Sequence, residues 1–151
     1  MFPGYMIPAD LTRMMVAAGY SDAFEYAKDH LEASLGAIAV KDGRPFRIGS
    51  LRPASLPGTT ICKFLDENNH CTIHEVSPFG CAFADDHMSH EHAEKISRAG
   101  GESLVVDRQQ NGLYSRVWDY LWYEIKKRGR DPFAKEWIKV QKQYNRRLYG
   151  Y

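Results

Sequence analysis

The middle of this chain cannot be one regular helix or strand. From Cys62 to Asp86 the apolar residues keep neither the alternation of a strand nor the 3.6-residue repeat of a helix for long, and Pro78 and Gly80 interrupt what pattern there is. All 3 cysteines fall in that stretch, as Cys62-x8-Cys71-x9-Cys81. Five of the 6 histidines crowd the same region: His70, His74, His87, His90 and His92. Thiolate and imidazole are the ligand types that zinc, iron and iron-sulfur clusters prefer, and core packing gives no reason to concentrate both in one short segment. An irregular backbone is free to turn several side chains toward one centre, and a bound ion then supplies the cohesion that secondary structure does not. The expectation is a metal site built on Cys62, Cys71 and Cys81. The alternative for the thiols is burial as small apolar side chains, which free cysteine favours.

The flanks are ordinary globular sequence. With 151 residues, 44% hydrophobic and 26% charged, the chain suits a single domain spanning 1–151. IPADLTRMMVAAG reads as a short helix, with Pro8 and Asp10 in its first turn and Gly19 at its C-terminal end. SDAFEYAKDHLEAS reads as a second, capped by Ser21 or Asp22, with Phe24, Ala27 and Leu31 on one face. Asp42-Gly43 between two runs of strand formers predicts a hairpin, and RPASLPGTT predicts a loop leading into the cysteines. SHEHAEKISRAGG predicts a helix capped by Ser89 and ended by Gly100-Gly101, while Ser103 to Arg108 fits either a short strand or an extension of a helix. Tyr114, Val117, Leu121 and Ile125, with Trp118 and Trp122 beside them, mark an amphipathic helix stopped by Gly129. Asp131-Pro132 starts another, striped by Trp137, Val140, Tyr144 and Leu148. The fold class expected is α+β, mainly helical, with a small β-hairpin, an irregular Cys-rich loop and a C-terminal helical hairpin.

The cysteine segment resembles the cysteine-cluster family often called YkgJ-type, described as a zinc- or iron-chelating domain. The residues that carry the resemblance are Cys62 with Phe64-Leu65-Asp66, Cys71 with Ile73-His74, Pro78 three residues before Cys81, and His87-Met88. The resemblance implies zinc or an iron-sulfur centre as cofactor. Family members commonly carry further cysteines ahead of the first helix, and none stands there in this sequence. Either the fourth ligand is a histidine, an acid, water or substrate, or a protein partner or a second copy in a homo-oligomer completes the site, or this chain has lost the metal. His87 is the leading candidate, six residues beyond Cys81, with His74 and His90 as alternatives and His70 and His92 expected at the surface. Three Cys and one His make an ordinary tetrahedral zinc site, and a cluster iron also accepts a non-cysteine ligand.

The role that follows is structural, accessory or metal-handling, and an enzyme is the lesser expectation. Its catalytic form is a mononuclear iron site in which Asp86, His87 and His90 bring one carboxylate and two imidazoles to a metal with open positions. A third reading starts from charge. Between Lys126 and Arg147 nine Lys or Arg stand against Asp131 and Glu136, so a chain of net charge +1 carries a basic end on an acidic remainder. Such an end can meet nucleic acid or an acidic partner, but no nucleic-acid motif accompanies it, and a solvated helix face is the plainer account. No apolar run reaches the roughly 18 residues of a membrane span, and MFPGYMIPADLTRMM has no basic stretch followed by an apolar one. The expectation is a cytoplasmic chain with no membrane contact, in which an odd number of cysteines is not a disulfide framework.

Overall fold

A two-residue turn at Asp42-Gly43 sets the register around which the rest is packed. The computed structural model describes residues 4–82 and 88–127, with Lys139, Lys142, Gln143, Arg146 and Arg147 beyond them. Both turn residues have positive φ (51° and 70°), the conformation that joins strands of natural twist and that glycine adopts without strain. Strand β1 (Leu31–Lys41) and strand β2 (Arg44–Pro53) pair antiparallel from Lys41↔Arg44 to Leu31↔Pro53, with a bulge between Ser34 and Ala37. Along β1 Leu31, Ala33, Leu35, Ala37 and Ala39 are buried, the period of two expected of a sheet with one covered face.

That alternation corrects the second helix. Helix α2 (Ala23–His30), capped by the Asp22 carboxylate on Phe24 N–H, ends at His30, and Leu31 to Ser34 begin the strand instead of closing the helix. Leu31 fits a helical face with Phe24 and Ala27 and a strand face with Ala33 and Leu35, and pairing with β2 decides between them. Helix α1 (Pro8–Ala17) ends as expected, with Gly19 at φ 80°.

Helix α4 (His90–Gln109) overturns the second boundary: it runs straight through Gly100-Gly101, and Ser103 to Arg108 extend it. Here the glycines serve close packing. A Cβ on Gly101 would lie 2.5 Å from the Ile38 carbonyl oxygen, and one on Gly100 2.6 Å from the Phe79 ring, so the helix approaches β1 and Phe79 at backbone distance. Before it, the short helix α3 (Phe79–Ala82) carries Cys81; Ser89 caps α4 by accepting from His92 N–H, as expected.

Helix α5 (Leu113–Lys127) covers the hairpin with buried Tyr114, Val117, Trp118, Leu121 and Trp122. The two indoles stack at 5.1 Å between centroids, and Trp118 Nε1 donates to the Ser34 carbonyl at the bulge. Gly49 makes room for that ring, since a Cβ there would sit 2.8 Å from it. The side chain of Ile125, the Gly129 stop and most of the helix expected from Asp131 to Leu148 lie outside the described residues, and the five positions described there are helical. No helix among the described residues is long and apolar enough to cross a membrane.

One hydroxyl ties three parts of this core together. Tyr114 Oη accepts from Leu51 N–H and donates to the Met6 carbonyl, both at 2.6 Å, in a site where Tyr114 is 2% exposed. Tyr114→Phe strands a donor and an acceptor in the core and should lower the unfolding free energy by about 1–3 kcal/mol. Urea unfolding with an unchanged denaturant slope is the check.

Candidate metal centre

The cysteine loop has little core of its own and is held by turns. Ala54 N–H donates to the His30 carbonyl as the chain leaves β2, and a bridge between Ser55 and Cys62 closes the Leu56-to-Ile61 excursion. Next, Leu65 bridges Cys71 and Thr72 N–H returns to the Phe64 carbonyl, making a miniature hairpin. Asp66 shapes its tip: one carboxylate oxygen accepts from Asn68 N–H and His70 N–H while Asn69 takes a positive φ of 62°. Cys62 and Cys71 therefore stand at the base of one small antiparallel unit.

Cys81 reaches the same neighbourhood by a separate route. The Asp10 carboxylate, 3% exposed, accepts from Ile7 N–H at the start of α1 and from Phe79 N–H at the start of α3. Arg13 seals it, donating to Asp10 at 2.6 Å and to the Ser77 carbonyl at 3.0 Å. Gly80 N–H donates to the Tyr5 carbonyl, and a Cβ on Gly4 would fall 2.3 Å from the Gly80 carbonyl carbon, so only glycine fits where the two segments cross. This contact aims Gly4 N–H at Cys81 Sγ, 3.3 Å away.

The thiols feel one another. Burial pushes the Cys62 thiol up, the Phe64 N–H opposes this by donating to its sulfur, and Cys71 and Glu32 raise it further. Burial likewise raises Cys81, Gly4 N–H opposes it, and Cys62, Cys71 and Asp10 add to the rise. Both thiols are thus shifted toward the protonated form. Cys62 and Cys71 are half-buried and Cys81 is exposed as a residue, so none of the three is a fully buried core side chain.

Among the described residues no three His, Cys, Asp or Glu side chains converge, as they stand, into a group able to hold an ion. His74 is exposed on a 3-10 turn (His74–Val76), and His90 is exposed at the first residue of α4. His70 and His92 are exposed, as expected. His87 and Asp86 lie outside the described residues, as does most of the basic stretch from Lys126 to Arg147. The iron-enzyme reading and the nucleic-acid reading both rest on those positions.

Two groups that matter here were not singled out by their sequence. Asp10 looked like one more first-turn acid. His30, the only histidine outside the crowded stretch, lies in a chain of hydrogen bonds. The Lys63 ammonium can only donate, so His30 Nδ1 accepts from it at 3.1 Å and the ring proton sits on Nε2. Nε2 then donates to Tyr20 Oη at 3.0 Å, and Tyr20 donates to Asp29. The signal in the sequence is Lys63 beside Cys62, which ties the cysteine loop back to α2. No family model matches the chain, and neither curated proteins nor solved structures include a match to it.

Asp10→Ala leaves Ile7 N–H and Phe79 N–H without their acceptor and should cost about 2 kcal/mol of stability, with Asp10→Asn losing less; urea unfolding of both measures it. Burial first and Lys63 second lower the His30 pKa from its ordinary 6.5, against the opposing pull of Asp29. A folded-state value below the unfolded one means that the unfolded chain binds the proton more readily. His30 therefore contributes stability above about pH 6.5 that is lost as pH falls below it. The thermal midpoint should drop more steeply on acidification in the native chain than in His30→Gln.

Proposed function

We propose that this is a small metal-binding protein that holds zinc or an iron-sulfur centre through Cys62, Cys71 and Cys81, in a structural, accessory or metal-handling role. The observation that carries the reading is the environment of the sulfurs. Backbone N–H groups point at Cys62 Sγ from Phe64 and at Cys81 Sγ from Gly4, the arrangement that stabilises metal-bound thiolate and tunes its donor strength. The donor set is soft and suits zinc or iron. The loop that carries two of the sulfurs is tied by turns and isolated bridges, which leaves a metal the task of drawing the ligands into a closed shell. The resemblance of the cysteine segment to the cysteine-cluster family points the same way. His87 is the fourth ligand in this reading, with His74 and His90 as substitutes and a partner or second copy as the remaining source. Zinc there would lock three segments together, whereas an iron-sulfur centre would add one-electron chemistry.

Anaerobic purification followed by elemental analysis and an absorption spectrum tests this. Stoichiometric zinc in a colourless protein, or iron with sulfide and broad brown absorption, is the expected result; metal-free protein that stays folded would overturn the proposal. Cys71→Ser should lose most of the metal and His87→Ala at least part of it. Full occupancy in Cys71→Ser removes that cysteine from the site.

A further inference from the structure

A cavity of about 460 Å³ opens between α1, α2 and the cysteine loop, within the size range of small-molecule sites. We infer that it binds a small flat ring compound, neutral or singly cationic, of the heteroaromatic or arylamine class. One wall is a row of three rings. His30 lies 5.1 Å from Tyr26 and 5.7 Å from Phe64 between centroids, tilted by 41° and 32°. Both nitrogens of His30 are already engaged, so the imidazole offers the cavity no free hydrogen-bonding nitrogen. Rings in such a row bind another ring by stacking or edge contact, while the Phe64 ring already carries the Lys63 ammonium 5.8 Å from its centroid, so a cationic group on the ligand is left to Glu75.

The opposite lip is formed by Ala17 and Ala18 at the end of α1, side chains too small to fill the space. Charge selects the class further. Among the described lining residues Glu75 is the only carboxylate and there is no Lys or Arg. Lys63, the nearest ammonium to His30, is bonded to the Asp29 carbonyl and to His30 Nδ1. A ring bearing an amine gains from Glu75, and a ring bearing a carboxylate is repelled. Nothing in this assignment depends on a metal at the sulfurs, although Cys71 lines the same cavity.

The test titrates the full chain with indole, tryptamine and indole-3-acetate, followed by amide chemical shifts in two-dimensional NMR. Indole and tryptamine should give saturable shifts confined to the end of α1, to Tyr26 and His30, to Phe64 and to Cys71–Val76. Tryptamine should bind about fivefold tighter than indole-3-acetate, the size of one attraction exchanged for one repulsion at an exposed carboxylate. Glu75→Gln should erase that preference and leave indole unchanged. Ala18→Trp, at an exposed position whose substitution spares the core, should abolish binding of all three with the thermal midpoint retained. Non-saturable shifts with both indole and tryptamine overturn the inference. So does equal affinity for the acetate, or undiminished binding in a folded Ala18→Trp.

Discussion

A single buried carboxylate, that of Asp10, fixes where the third cysteine can be. It is 3% exposed, and burial of an ionised group is costly unless donors surround it. Here the donors come from three places: the start of α1, the start of α3 and the Arg13 guanidinium, which also reaches Ser77. Because the carboxylate must keep all of them, the beginning of α1 and the beginning of α3 move as one piece. The Gly4–Gly80 crossing follows from that union, and with it the N–H directed at Cys81. Removing either side of this arrangement is costly, because it leaves buried hydrogen-bonding groups without partners.

The remaining core is organised so that the cysteine loop does not need to join it. The hairpin's covered face receives α5 through Tyr114 and Trp118 and α4 through the flat stretch at Gly101. The cysteine loop sits at the margin of this core, tied to it at Ala54 and Lys63 and packed by Ile73 and Val76. A loop so arranged keeps its side chains available for ligands, since few of them are committed to packing. The same arrangement leaves space beside it, bounded by Tyr26, His30 and Phe64.

Much of the architecture is legible along the chain, and the misreadings have identifiable causes. Asp42-Gly43, Gly19, Asp22 and Ser89 act through their own backbone or a neighbour a few residues away, so their roles are visible locally. Gly100-Gly101 misled because a helix-stopping glycine and a close-packing glycine are the same residue; only the position of Ile38 and Phe79 tells them apart. Leu31 misled because three apolar residues satisfy two periods at once, and the partner strand is needed to choose. The concentration of thiols was visible, but the Gly4 donor for Cys81 lies 77 residues away and Asp10 meets Phe79 across 69. Contacts at such separations leave no local pattern, and Lys63 meets His30 across 33 residues.

Cys71 belongs to two places at once. It stands at the base of the miniature hairpin, where it adds to the rise of the Cys62 and Cys81 thiols, and it lines the ring-walled cavity. Phe64 is similarly shared: its N–H donates to the Cys62 sulfur and its ring forms part of the cavity wall. A change at the sulfurs therefore acts on the cavity through two residues whose backbone positions are coupled by the Phe64–Thr72 hydrogen bond and the Leu65–Cys71 bridge. By thermodynamic reciprocity, an occupant of the cavity that prefers one arrangement of the miniature hairpin and any ligand taken up at the sulfurs would change each other's affinity by the same factor. The short path between the sites makes the hairpin itself the element that both would bias.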